Sequence, residues 1–119
     1  MSIVGLESLV FGVEDFAPAR KFLADFGLEL EQDGPQRLVY RLAEGSRVVL
    51  LHASDASLPA PSFENGGPRE LIWGVDSEDA LAAIRHELAD REVSVQQDGV
   101  LHTRDPSGIA IGFLSLIHI

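Results

Sequence analysis

The sequence predicts an α+β protein whose 119 residues form one domain of two tandem βαβββ modules. Alternating apolar and polar residues, the pattern of strands, recur twice in the same order around an amphipathic helical segment. Short sequences repeat about 63 residues apart, as expected of an internal duplication. Turn-forming residues separate the elements at matching places. The predicted boundaries are 1–53 for the first module, 54–68 for a linker and 69–119 for the second module.

The first predicted module begins with a strand over residues 3–13, where apolar residues alternate with others. Asp15 is suited to cap a helix, and Gly27 to end it. Three strands are predicted to follow: one from Leu28, one over Arg37 to Leu42 and one over Arg47 to His52, with turns at Asp33-Gly34 and Glu44-Gly45.

The second predicted module follows a segment rich in proline, glycine, serine and alanine, a composition typical of a linker. Its elements take the same order as those of the first module. They are a strand over Leu71 to Val75, a helix capped by Ser77, a strand from Val93 to a turn at Asp98-Gly99, a strand over Val100 to Arg104, a turn at 105–108 and a strand over Ile109 to Ile117.

Direct overlay of the two halves supports a duplication. Three short matches fall in one order: Phe11-Gly12-Val13 with Trp73-Gly74-Val75, Leu23-Ala24-Asp25 with Leu88-Ala89-Asp90, and Gln32-Asp33-Gly34 with Gln97-Asp98-Gly99. Similarity between two amphipathic helices alone is weak support, but agreement of strand, helix and hairpin in one order is much stronger.

Composition excludes several classes of function. The chain has no cysteine, which removes disulfides and thiolate chemistry, so a reducing cytoplasm is the expected location. A formal net charge of -10 argues against nucleic acid as a partner, because such binding draws on clustered Lys and Arg. No apolar stretch approaches the roughly 20 residues that span a membrane, and the N-terminus does not resemble a signal peptide.

Three motifs resemble those of the vicinal oxygen chelate superfamily, which includes glyoxalases, bleomycin-resistance proteins and extradiol dioxygenases. They are residues 9–15, Leu-Val-Phe-Gly-Val-Glu-Asp; the following helix with Arg20, Phe22 and Leu23; and residues 104–109, Arg-Asp-Pro-Ser-Gly-Ile. The resemblance implies curved mixed sheets that form a cup, helices on the outer face, a small-molecule ligand and a homodimer. It also implies a divalent metal at the centre of the cup.

The metal-ligand positions implied by this resemblance hold unusual residues here. Carried over one by one, they fall on Ser8 and Glu70 in the first strands of the two modules and on Val49 and Gly112 in the last strands. Only Glu70 is suited to bind a metal, and a divalent ion generally needs several such ligands. We therefore expect no cofactor at the usual position, while a site elsewhere, using some of the four histidines, stays open.

Strand phase, combined with the resemblance, selects the residues that line the cup. Glu70 and His102 are the candidate catalytic residues, because His exchanges protons near neutral pH. The candidate ligand-binding residues are Ser8, Arg41, Arg47 and Arg104. The alternatives are that the arginines pair with surface carboxylates and that His102 is an ordinary hydrogen-bonded side chain. His52 and His86 are expected in polar surface roles, and His118 near a fraying terminus.

The predicted function is binding of a small molecule in the cup without the usual metal site. One alternative is a metal-dependent lyase, isomerase or dioxygenase of the same superfamily that uses Glu70 and His102. A second alternative, from a different class, is a non-catalytic dimerisation module. The sequence leaves open whether the protein is an enzyme.

Overall fold

The structure is a computed structural model that describes residues 3–61, 67–88, 94–95 and 99–116. The chain divides into two compact units, which we call the first and second modules. The first module is Ser8–Arg69, and the second is Glu70–Ile119 together with Met1–Glu7. Within the described ranges, no helix is long and apolar enough to cross a membrane.

The first module has one helix and a mixed sheet. Its elements are β1 (Ile3–Val13, of which Ser8 onward belongs to this module), α1 (Phe16–Asp25), β2 (Glu29–Asp33), β3 (Arg37–Arg41) and β4 (Arg47–His52). The strand order is β2-β3-β4-β1, with β1 parallel to β4 and the other neighbours antiparallel.

The second module repeats this arrangement. Its elements are β5 (Pro68–Val75, of which Glu70 onward belongs to this module), α2 (Glu78–Glu87), β6 (Ser94–Val95), β7 (Leu101–Arg104) and β8 (Ala110–Ser115). The strand order is β6-β7-β8-β5, and again the first strand, β5, is parallel to the last, β8. Identical order, direction and helix position confirm the predicted α+β fold of two βαβββ modules. Residues 53–61 and Gly67, between β4 and β5, form no helix or strand.

Helix α1 begins at the predicted cap and covers one face of the first sheet. The Asp15 carboxylate accepts a hydrogen bond from the Ala17 N–H (3.0 Å), and the positive φ of Gly27 ends the segment. Phe16 packs against Leu38 and Tyr40, which reach the helix from β3 because side chains alternate along a strand. Arg41, whose predicted phase assigned it to the cup, alternates with Tyr40 along β3 and so begins on the opposite face.

Helix α2 covers the second sheet in the same way. The Ser77 hydroxyl accepts a hydrogen bond from the Ala80 N–H (3.0 Å), which caps the helix as predicted. Ile84 then packs against Val75, Leu101 and Phe113, with Trp73 and Ile111 at the margin of this cluster. On the opposite face of each sheet, the described residues of the same module form no helix, and we call this the helix-free face.

The hairpin between β2 and β3 differs in detail from the prediction. The Gly34 N–H donates to the Arg37 carbonyl (3.0 Å), and Asp33 pairs with Leu38 inside the ladder. The turn is thus centred on Pro35 and Gln36 rather than on Asp33-Gly34, since proline is well suited to the first central position of a turn. The predicted start of β6 at Val93 lies outside the described residues, as does Asp98 of the turn predicted at Asp98-Gly99.

Asp33 also forms an exposed ion pair, and this pair predicts how the stability of the protein depends on pH. Its carboxylate accepts a hydrogen bond from Arg20 (2.6 Å), and this bond holds the pKa of Asp33 below its usual value. A lowered folded-state pKa stabilises the protein above the unfolded pKa, and the contribution is lost as the pH falls through the folded pKa.

Replacing Asp33 with asparagine is expected to lower the free energy of unfolding slightly near neutral pH, because the charged partner of Arg20 is gone. The difference from the unmodified protein should close as the pH falls through the lowered pKa of Asp33, measured by urea denaturation. Arg20→Gln should show the same convergence. A difference that persists at low pH, or that Arg20→Gln does not reproduce, would assign the effect to another group.

Candidate functional site

Three strands of the second module bring a small polar cluster onto its helix-free face. Ile72 of β5 pairs with Gly112 of β8, and Gly112 pairs with His102 of β7. Residues paired in this way share a face of the sheet, and Glu70 shares it with Ile72 two positions along β5. The face therefore holds Glu70 and His102 on either side of a glycine.

Glu70 and His102 are in direct contact. Glu70 Oε2 lies 2.5 Å from His102 Nδ1, so the two side chains are hydrogen-bonded. The Glu70 side chain is 5% exposed, and that of His102 is 24% exposed. An ionised carboxylate can only accept a hydrogen bond, so Nδ1 carries the proton when Glu70 is charged. The carboxylate thus fixes the orientation of a ring that solvent still reaches.

Gly112 leaves the space in which this contact forms. A Cβ atom at position 112 would lie 2.8 Å from Val100 Cγ1 and 3.3 Å from Glu70 Oε2, both closer than ordinary van der Waals contact. Ile72 Cγ1 would be 3.4 Å away. The glycine therefore accommodates the carboxylate and two aliphatic side chains in the volume that a larger residue at this position would occupy.

The arrangement is suited to proton exchange or to hydrogen bonding with a ligand. A carboxylate on one nitrogen of a histidine sets the tautomer and ring orientation, which are requirements for a general acid or base. Glu70 also lies near the aliphatic side chains of Ile72 and Val100, both of which are buried.

The other predicted site residues have different surroundings. In the first module, Ser8 is buried and Arg41 is exposed, while Arg47 Nε lies 3.1 Å from Glu31 Oε1. In the second module, exposed Arg104 donates to the Gly108 carbonyl (2.6 Å), across the turn between β7 and β8. Of the predicted site residues, the structure brings Glu70 and His102 into contact. Arg47 and Arg104 instead contact other residues of their own modules.

Of the three remaining histidines, two lie within the described residues. His52 stacks on Phe16 with a ring separation of 4.1 Å, and its Nε2 lies 3.0 Å from the Pro35 carbonyl oxygen. His86 is exposed on α2. His118 lies outside the described residues.

Sequence reasoning did not single out Arg69 or the spatial role of Gly112. Arg69 donates from Nε to the carbonyl of Pro59 (2.8 Å) and is partly buried. This acceptor belongs to the backbone of the irregular segment between β4 and β5, so no residue pattern could indicate it. For Gly112, the signal was its place at a position where the resemblance implies a glutamate.

The residues at the four implied metal-ligand positions do not fit a divalent ion as a donor set. Val49 is a buried aliphatic residue, Gly112 has no side chain, and Glu70 is hydrogen-bonded to His102. Ser8 offers a neutral hydroxyl, a weak ligand compared with imidazole or carboxylate. Among the described residues, no group of three or more His, Asp or Glu side chains is placed to hold a metal.

Comparison with solved structures identifies the fold. The chain superposes on a catechol 2,3-dioxygenase with a TM-score of 0.76 and 19% identity, over 97% of this chain and 42% of that one. Methylmalonyl-CoA epimerase from Mycobacterium tuberculosis gives 0.69 at 14% identity, over 95% and 88%. A glyoxalase/bleomycin resistance protein/dioxygenase superfamily member from Vibrio splendidus 12B01 gives 0.59 at 19% identity, over 92% and 97%. No family model and no curated protein matches the sequence.

The protein therefore has the fold of the vicinal oxygen chelate superfamily, as the sequence motifs predicted. At these identities the likeness establishes the fold alone. The chain also spans only 42% of the catechol 2,3-dioxygenase that it matches, whereas it spans 97% of the Vibrio protein. The likeness therefore establishes no activity for this chain.

Proposed function

We propose that the protein binds a small molecule on the helix-free face of its second module, through Glu70 and His102 and without the usual metal. The contact between these two side chains carries the proposal. A buried carboxylate is costly unless it is paired, and here its partner is a histidine whose ring is partly exposed. Such a pair offers a ligand both a charge and a hydrogen-bonding group.

The substitutions at the implied metal positions support the metal-free part of this proposal. Gly112 and Val49 supply no donor atom from a side chain, and Glu70 already has a hydrogen-bond partner. A metal recruited by Glu70 would have to compete with His102 for the carboxylate.

A second candidate function is acid–base catalysis by the same pair. Glu70 holds His102 through Nδ1, which is the geometry that orients a histidine for proton transfer. In this case the ligand is a substrate, and His102 exchanges a proton with it. Loss of turnover in Glu70→Gln with ligand binding retained would distinguish catalysis from sequestration.

We further propose that the protein is a cytoplasmic homodimer. Proteins of this fold pair their modules within or between chains, and the chain contains no cysteine that would require an oxidising compartment. A molar mass of twice 12.9 kDa in light scattering would support the dimer, and a single-chain mass would contradict it.

The binding proposal is tested by screening small aromatic and cationic fragments against the full chain by NMR. We expect some fragments to shift the backbone amides of Ile72 and Gly112. Glu70→Gln and His102→Ala are each expected to weaken those fragments about tenfold, because a charge-assisted contact contributes on the order of 1.4 kcal/mol.

His86→Ala is the matched control, because His86 is an exposed histidine on α2 of the same module. It should leave fragment affinity unchanged. Fragments that leave Ile72 and Gly112 unperturbed, or that bind Glu70→Gln as tightly as the unmodified protein, would contradict the proposal.

A further inference from the structure

The first module contains a partly buried guanidinium that has no acidic partner among the residues that the structure describes. Arg69 Nε donates to the Pro59 carbonyl (2.8 Å), and no Asp or Glu of the described residues forms an ion pair with this arginine. The chain has 19 acidic and 9 basic Lys and Arg residues, so carboxylates are not scarce. Burying a cation without a counter-ion is unfavourable, and it is unexpected in so acidic a protein.

The guanidinium lies against the backbone of β1. A Cβ atom at Gly12 would be 2.9 Å from Arg69 Nη1 and 2.9 Å from Leu58 Cδ1, so the glycine makes room for both. Gly12 pairs with Leu51 of β4, and Leu51 pairs with Arg37 of β3, which places this row on the helix-free face of the first module. The positive charge therefore lies near Leu58, on a face of the sheet that also carries Leu51.

The geometry determines which anion this group fits. The bond to Pro59 uses only Nε–H, so the donors of the two terminal nitrogens stay available within the described part of the chain. Two parallel N–H groups match the two oxygens of a carboxylate in a bidentate contact. The bond to Pro59 also holds the side chain in one orientation, which reduces the entropy lost when an anion binds.

We propose that Arg69 binds the carboxylate of a small acid whose apolar body contacts Leu51 and Leu58. The site is built from residues of the first module, whereas Glu70 and His102 belong to the second. Its test is therefore separate from that of the Glu70–His102 pair.

The test compares benzoate with benzamide, which has the same ring and no charge, by NMR titration of the full chain. Benzoate is expected to shift the backbone amides of Gly12, Leu58 and Arg69 and to bind about tenfold more tightly than benzamide. Arg69→Gln should weaken benzoate about tenfold and leave benzamide unchanged, which removes the preference for the acid. Arg85→Gln, which removes an exposed arginine on α2, is the matched control and should preserve the preference.

Several outcomes would overturn the carboxylate site. They are equal affinity for the two probes, no shift at Gly12, no binding of benzoate, and benzoate affinity retained in Arg69→Gln. If Arg69→Gln does not fold, Arg69→Lys keeps the charge but loses the bidentate fork. It should reduce the preference for benzoate by a smaller factor, and an unchanged preference would contradict recognition by the guanidinium fork.

Discussion

Replacing His102 with alanine is expected to lower the free energy of unfolding near neutral pH by about 2 kcal/mol. The substitution leaves the Glu70 carboxylate, whose side chain is 5% exposed, without the histidine that it contacts. An unpaired buried charge must either be hydrated by local rearrangement or take up a proton, and both cost stability. Urea denaturation at constant pH measures the change.

Glu70→Gln in the His102→Ala background shows whether the loss comes from this contact. Once His102 is absent, neutralising position 70 should restore part of the lost stability, so the two substitutions should be strongly non-additive. His86→Ala supplies the matched control and should alter stability by less than about 0.5 kcal/mol, since His86 is exposed. Additive effects would show that Glu70 and His102 do not depend on each other.

Replacing Gly112 with alanine is expected to cost about 1–3 kcal/mol and to displace the Glu70 carboxylate. The added Cβ would lie 2.8 Å from Val100 Cγ1 and 3.3 Å from Glu70 Oε2, in the middle of a three-strand segment that cannot shift freely. Val100 is 4% exposed and has little space to move into. Urea denaturation gives the stability, and the imidazole N–H signal of His102 reports whether its hydrogen bond survives.

Val100→Ala gives this prediction its own control. Removing the Val100 methyl groups relieves the shortest contact, so Gly112→Ala should cost less in the Val100→Ala background than in the unmodified protein. The imidazole signal should also return toward its original position. A Gly112→Ala protein with unchanged stability and an unchanged His102 signal would contradict the proposed spatial role of this glycine.

The fold was largely predictable because it follows from local patterns that occur twice. Alternation placed Leu38 and Tyr40 under α1, and Asp15 and Ser77 cap the two helices as predicted. The hairpin after β2 was misplaced, because Asp33-Gly34 has the residue types of a turn while the ladder in fact continues through Asp33. There, strand pairing and the proline at position 35 outweighed the preference of the dipeptide.

The candidate site was only partly predictable. Strand alternation could place Glu70 and His102 on one face of the sheet, but their contact joins residues 32 positions apart. That contact depends on the strand order β5-β8-β7 and on the register in which these strands pair. The long side chain of Arg47 was assigned to ligand binding, whereas its Nε meets Glu31 of β2 at 3.1 Å. Strand alternation predicts the face of the sheet from which a long side chain extends. Tertiary packing determines which residues the end of that side chain contacts.

Calorimetric titration of Zn²⁺, Mn²⁺, Fe²⁺ and Ni²⁺ into the metal-free full chain tests whether this fold binds its small molecule without the usual metal. We expect no stoichiometric binding tighter than about 10 μM, because Val49 and Gly112 supply no side-chain ligand and Glu70 pairs with His102. One tightly bound ion per chain that is lost in Glu70→Gln would contradict this expectation.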